Sequence, residues 1–190
     1  RAVKLLENEN YLTDSISHGS VNSHVISIPN GVSQVKIMTY WHDKEANTSS
    51  LIALVNDINS SLDYLPLGVN YNPLVLDPSP SQSALNSAAV PGTDSLNNME
   101  QIVIVNPIQG NYTLNINGFS IPYGPQKYSV TYEFITDDIE LTYPIGGEGF
   151  VPGETEILRW DASEGNTSFT LEYSTDGGSI WNTITTNVNA

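Results

Sequence analysis

The period of the apolar positions changes near residue 20, where a short predicted helix gives way to a series of predicted strands. In residues 2–7 (AVKLLE), Ala2, Leu5 and Leu6 are spaced to lie on one side of a helix. From residue 20 onward, apolar side chains recur at every second position, the spacing of a strand with one buried face. A helix this short is marginal alone, so we expect its apolar stripe to dock on another surface.

Several alternating segments, separated by turn residues, predict an all-β domain. Residues 77–93 are rich in Pro, Ser, Gly and Ala and predict a long surface loop. We expect Trp41, at the end of the stripe through residues 35, 37 and 39, to lie in the core. About eight strands predict an eight-stranded antiparallel jelly-roll β-sandwich. The predicted strands are 21–28, 35–41, 51–58, two short pieces within 62–75, 100–105, 112–116 and 128–134.

Charge and composition narrow the classes of partner. The chain carries 21 acidic and 6 basic residues, for a net charge of −15, and has no cysteine. Phosphate binding needs a basic face, so neither nucleic acid nor an anionic membrane is an expected partner. Without cysteine, disulfides, thiolate metal sites and cysteine nucleophiles are excluded. The sequence contains no run of 18 apolar residues, so it predicts no transmembrane helix.

Three blocks between residues 35 and 134 resemble the jelly-roll domain that follows the catalytic domain in secreted bacterial subtilisin-like serine proteases, often called a P-like or proprotein-convertase-like domain. The resemblance covers about half of the chain. Its residues are Trp41 and Asp43, the LVND segment 54–57, the D-x-x-N-N-x-E pattern of Asp94, Asn97, Asn98 and Glu100, the G-x-Y-T start at 110–114, and the P-x-G-P-Q turn at 122–126.

A second resemblance concerns residues 139–190, which look like the first part of an immunoglobulin-like or fibronectin-like module. The segment of about 50 residues is shorter than the roughly 100 residues of such a sandwich, so we expect a truncated module. Within it, Ser174–Trp181 resembles an Asp-box, whose Asp and glycines predict a hairpin turn.

These resemblances imply a domain plan and a function. Residues 1–19 would be a stub of the preceding catalytic domain with a linker, 20–136 the P-like jelly roll, and 137–190 the Ig-like module. We expect a secreted or cell-surface, monomeric, non-catalytic accessory region that stabilises or assists the protease domain of the same polypeptide. The alternative is an independent adhesion module for a protein or glycan ligand, with Tyr64, Tyr71 and Tyr123 as a sugar platform.

Catalysis by the chain itself is not expected. None of its three histidines, His18, His24 and His42, lies in a motif of a Ser-His-Asp hydrolase, and no G-x-S-x-G segment occurs. The histidine spacings also match no zinc site.

Calcium is the candidate cofactor, because oxygen-bearing side chains crowd the loop before the strand at 100–105. Calcium prefers carboxylate, amide and carbonyl oxygens from loops. Asp and Asn also serve turns and strand ends, so turn chemistry alone is the alternative to a metal site. The predicted ligands are Asp57, Asp94, Asn97, Asn98 and Glu100.

Overall fold

The computed structural model describes residues 2–137, 139–162 and 168–189, and these divide into two compact units. Unit 1 comprises residues 1–135 and unit 2 residues 136–190. Strands predominate in both, so the protein is all-β.

Unit 1 holds helix α1 at Ala2–Glu7, ten strands, a 3-10 turn at Leu65–Leu67 and the short helix α2 at Gln82–Leu85. The strands are β1 Tyr11–Ile16, β2 Val21–Ile28, β3 Val32–Trp41, β4 Asp57–Tyr64, β5 Val69–Tyr71, β6 Leu74–Val75, β7 Val90–Pro91, β8 Met99–Val105, β9 Gly110–Ser120 and β10 Gln126–Thr136.

Eight of these strands form two four-stranded sheets. Sheet 1 has the order β1-β10-β3-β8, and sheet 2 has the order β2-β9-β4-β5. The pairs β1–β10, β3–β8, β2–β9, β4–β9 and β4–β5 are antiparallel. This order is that of an eight-stranded jelly roll, so the predicted fold class is confirmed. The short strands β6 and β7 form a separate ribbon.

The core lies between the two sheets and follows the period-two pattern. In β3 the inward residues are buried while their neighbours are partly exposed, and β4 and β8 alternate in the same way. Trp41 is fully buried, as predicted. The remaining core side chains are Ile16, Ile26, Ile28, Val32, Val35, Ile37, Ile58, Leu62, Tyr64, Ile102, Ile104, Tyr112, Leu114, Ile116, Ile121, Tyr128 and Val130.

Three features of unit 1 differ from the sequence prediction. The loop predicted at 77–93 contains the short helix α2 and the short strand β7. Residues 11–16, which were assigned to the stub and linker, form β1 and pair with β10 at the edge of sheet 1. The strand predicted at 51–58 lies later in the chain, as β4, while Leu51 is fully exposed in a loop. Helix α1 matches its predicted position, and Leu5 lines a shallow pocket with Lys36 and Met38 of β3.

Unit 2 consists of two antiparallel ribbons in its described residues. Strand β11, Ile139–Tyr143, pairs with β12, Arg159–Ala162, and β13, Phe169–Tyr173, pairs with β14, Asn182–Val188. The Asp-box segment connects β13 to β14, which confirms the predicted hairpin. No described residue of unit 2 is buried.

Candidate functional site

Residues from four of the five motifs of the resemblance meet where β3 ends and β4 begins. The carboxylate of Asp43 accepts hydrogen bonds from the backbone N–H groups of Lys44, Val55 and Asn56, at 2.8, 2.6 and 2.9 Å. One side chain thereby joins the two ends of the long β3–β4 loop. The acceptor capacity of an ionised carboxylate suits this task, since each oxygen can accept more than one bond.

Asn56 connects this loop to the turn before β10. Its amide donates to the side-chain oxygen of Gln126 at 2.7 Å and to the carbonyl of Tyr123 at 3.0 Å. Its carbonyl oxygen accepts from the Tyr123 N–H, and its backbone carbonyl accepts from the indole N–H of Trp41 at 2.9 Å. Asn56 is 1% exposed, so these bonds satisfy a buried amide completely. Gln126 donates in turn to the carbonyl of His42.

Asp94, Asn97 and Asn98 form a turn next to this network. Asp94 accepts from the backbone N–H groups of Leu96 and Asn97 and from the amide of Asn97. The amide of Asn98 donates to the carbonyl of Trp41 at 2.8 Å, and the Trp41 N–H donates to the Asn98 carbonyl. We call Trp41, Asp43, Asn56, Asn98 and Gln126 the motif cluster. Three of the five predicted calcium ligands thus take part in turn and strand-end hydrogen bonds.

Glu100 has a different role, because it connects the two sheets. It points inward from β8 and is 2% exposed. One of its oxygens, Oε2, accepts from the backbone N–H of Ser60 in β4 at 2.6 Å and from the Ser60 hydroxyl. Its other oxygen, Oε1, is buried without a hydrogen-bond partner. Burial, together with the smaller effect of the negative charges of Asp94 and Asp57, raises the pKa of Glu100 to about 7 against the lowering effect of the Ser60 hydrogen bonds.

Asp57 and Asn59 also have buried side-chain oxygens without hydrogen-bond partners. In both residues the oxygen is Oδ1. Burial raises the pKa of Asp57, as do the neighbouring charges of Asp94 and Asp43. Asn59 was outside the predicted ligand set, although its position two residues after Asp57 on one strand places both side chains on one side of β4.

Acidic side chains do not converge tightly in the described residues: no group of three or more His, Cys, Asp or Glu is placed to hold a metal ion. Of the five predicted ligands, only Asp57 and Glu100 keep a buried oxygen free of hydrogen bonds. A metal at this place would therefore rely on two carboxylates and on amide or water oxygens.

The histidines and the predicted sugar-binding tyrosines occupy separate places. His24 contacts the hydroxyl of Tyr128 at 2.7 Å, and His18 accepts from the N–H of Ile121. Tyr64 is buried and stacks on Tyr112, with ring centroids 4.5 Å apart. Tyr123 is 59% exposed, with the ammonium of Lys44 over its ring.

Comparisons with known proteins give no relative: no family model matches the chain, and neither does any curated protein. Within the described residues, no helix has the length and apolar character needed to cross a membrane.

Proposed function

We propose that this chain is a non-catalytic accessory region of a secreted or cell-surface subtilisin-like serine protease, and that it stabilises or assists the catalytic domain of the same polypeptide. One observation carries the proposal. Four of the five motifs of the resemblance, which are scattered over residues 41–126, contribute residues to the motif cluster at one end of the sandwich, whereas the G-x-Y-T motif at 110–114 begins β9 at the other end. Blocks that fold into one network are better explained by a shared domain type than by chance similarity.

The burial of the motif cluster supports a scaffold role for these residues. Trp41 and Asn56 are 0% and 1% exposed, and Gln126 is 8% exposed, so none of them presents its polar group to a ligand. Buried and fully hydrogen-bonded polar groups fix one loop arrangement. The motif thus maintains the shape of a domain, as expected for a module whose partner is another domain. Unit 2, which resembles an immunoglobulin-like or fibronectin-like module, would extend this accessory region.

The proposal is tested on the complete polypeptide. We expect its reading frame to encode a subtilisin-type catalytic domain before residue 1. Destabilising the jelly roll by Asn56→Ala should then shorten the half-life of casein hydrolysis at elevated temperature. Asn70→Ala is the matched control, because Asn70 is exposed and its amide donates to Asp63 outside the motif cluster.

A reading frame without a catalytic domain would overturn the proposal, as would equal half-lives for the wild type and Asn56→Ala. The adhesion module is the alternative outcome. Glycan binding by this chain that is lost in Tyr123→Ala would favour it, since Tyr123 is the exposed member of the three candidate tyrosines.

A further inference from the structure

The loop between β3 and β4 exposes two adjacent apolar side chains. The loop runs from residue 42 to residue 56, and every residue from 47 to 53 (NTSSLIA) is exposed and lies outside helices and strands. Leu51 is 103% exposed, and Ile52 is 53% exposed. Exposed loop segments without regular structure are the preferred sites of proteolytic cleavage, because a protease can bind their backbone without unfolding the domain.

Both ends of this loop are attached to the sandwich. The Asp43 carboxylate accepts hydrogen bonds from the backbone N–H groups of Val55 and Asn56, at 2.6 and 2.9 Å, so it joins the end of the loop to its beginning. The indole N–H of Trp41 donates to the backbone carbonyl of Asn56 at 2.9 Å. The segment between these attachment points can therefore change its conformation while β3 and β4 stay in place.

Leu51 and Ile52 differ from the other exposed large apolar side chains in the described part of unit 1. An endopeptidase binds its substrate in an extended conformation through backbone hydrogen bonds, for which proline has no N–H and a helix or paired strand has no unused groups. The other side chains lie in helices or strands, lie within two residues of a proline or, for Leu96, belong to the turn held by Asp94. Residues 47–53 contain no proline.

We propose that this loop is a processing site, at which an endopeptidase with a hydrophobic specificity pocket hydrolyses the peptide bond between Leu51 and Ile52. Leu51, the more exposed of the two side chains, would enter the pocket. The reaction consumes one water molecule: the C–N bond breaks, Leu51 is left with a carboxylate and Ile52 with an ammonium group. Both new charges lie at exposed residues, so neither has to be buried.

The product of this cleavage is a folded domain made of two chains. The fragment 1–51 would contain β1, β2 and β3, and the second fragment would contain β4 to β10. β1 pairs with β10, β2 with β9 and β3 with β8, so every strand of the first fragment is paired with a strand of the second. The cleavage therefore removes one covalent connection and leaves the hydrogen bonds of both sheets intact.

The proposed function supplies an enzyme for this reaction, because the catalytic domain of the same polypeptide would be an endopeptidase. The identity of the enzyme rests on the proposed function, whereas the position of the site rests on the loop itself. The experiment therefore has two parts, one with the present chain and an added protease, the other with the complete polypeptide.

Limited digestion of the whole folded chain by chymotrypsin tests the site, because the specificity pocket of chymotrypsin is a hydrophobic slot. Intact-mass spectrometry should identify the bond after Leu51 as the first one cut within unit 1, and the two fragments should elute together in size-exclusion chromatography. Leu51→Asp should slow this cut by about tenfold or more, because the pocket loses its apolar contact. The melting temperature should not change, since Leu51 is exposed.

Leu76→Asp is the matched control. Leu76 is also an exposed loop leucine, at 67%, but it lies two residues before Pro78. This variant should leave the rate of the cut after Leu51 unchanged. A first cut elsewhere in unit 1 would overturn the proposal, as would fragments that separate on elution or a Leu51→Asp variant that is cut as fast as the wild type.

The second part uses the complete polypeptide. The purified mature protease should contain a chain that begins at Ile52, and replacing the nucleophilic serine of its catalytic domain should abolish that chain. An active protease without this chain would overturn self-processing. A reading frame without a catalytic domain would overturn the proposed function instead, and the chymotrypsin digest would still decide whether the loop is the site.

Discussion

Unit 1 and unit 2 are built from the same kind of alternating strand, but they bury very different amounts of it. In unit 1, two four-stranded sheets enclose a continuous core that includes Trp41, Tyr112 and Tyr128 at 2% exposure or less. In unit 2, two two-stranded ribbons leave large apolar side chains in solvent, with Phe150 51% and Trp181 59% exposed. Alternation therefore specifies a strand, whereas burial needs a second sheet to face it.

The largest expected difference between the units comes from replacing one tryptophan in each of them by alanine. Trp41→Ala should lower the free energy of unfolding of unit 1 by about 3–5 kcal/mol, because it removes a fully buried ring and frees the Asn56 carbonyl from its donor. Trp181 is exposed in unit 2, so Trp181→Ala should change the free energy of unfolding of unit 2 by about 0.5 kcal/mol or less. Urea denaturation followed by far-ultraviolet circular dichroism measures both. Equal losses would mean that the two units are equally packed.

The motif cluster gives the next largest effect. Asn56→Ala removes the hydrogen-bond partner of the Gln126 side chain and of the Tyr123 backbone in the turn before β10. We therefore expect the free energy of unfolding of unit 1 to fall by about 2–3 kcal/mol. In unit 2, Ser168→Ala removes one exposed hydrogen bond to Asn187 and should cost little. The same urea titrations apply. A loss in Asn56→Ala no larger than that in Ser168→Ala would show that the network does not hold the loops of unit 1.

Glycine substitutions test the same contrast between the units, because an added Cβ probes how closely the backbone is packed. A Cβ on Gly118 would lie 2.3 Å from the carbonyl oxygen of Ser17, whereas one on Gly149 would meet no atom within 4 Å. Gly118→Ala should therefore cost about 1–3 kcal/mol, as overpacking does, and Gly149→Ala should be nearly neutral. Thermal melts distinguish the two. A neutral Gly118→Ala would mean that β9 and the β1–β2 turn are not held against each other.

The smallest expected effect lies in the hairpin turn of unit 2. Asp176 accepts hydrogen bonds from the backbone N–H of Ile180, the hydroxyl of Ser174 and the backbone N–H of Ser179, and these bonds hold the pKa of Asp176 below its usual value of 3.8. Because the folded pKa is lowered, the contribution to turn stability is complete above about pH 4 and disappears as the pH falls through the folded pKa.

The Ser179 and Ile180 amide shifts should move together in an acid titration followed by nuclear magnetic resonance. Asp176→Asn keeps an acceptor oxygen but cannot ionise, so it should remove this pH dependence. Shifts that titrate identically in Asp176→Asn would assign the transition to another group.

Sequence alone was sufficient for the strands with a clear apolar pattern and insufficient for those without one. β3 and β10 place mostly apolar residues inward, β8 is a run of β-branched residues, and the predicted positions of all three are confirmed. β1 was missed because, as an edge strand, it buries only Ile16 and so shows no period. β4 was misplaced because the apolar run at 51–55, of which residues 51–53 are exposed, resembles a strand, while β4 itself has polar Ser60 at an inward position.

The candidate site was partly predictable for a related physical reason. The D-S-L-N-N segment contains oxygen-bearing side chains, which serve both turns and metal sites. Only the fold shows that the Asp94 carboxylate accepts hydrogen bonds from residues of its own turn. The contact between Glu100 and Ser60 joins residues 40 positions apart, so local spacing could not reveal it. Ser60 at an inward position of β4 was the available signal, since a buried hydroxyl needs a partner.

Hydrogen exchange of the intact chain, measured by mass spectrometry, is the most direct test of the contrast between the units. We expect the backbone amides of β3, β8, β9 and β10 to exchange only through global unfolding of unit 1, with protection that falls as urea is added. We expect β11 to β14 to exchange through local opening at far lower free energy, because their described residues are exposed. Equal protection in the strands of both units would contradict the account that, among the described residues, only unit 1 has a buried core between two sheets.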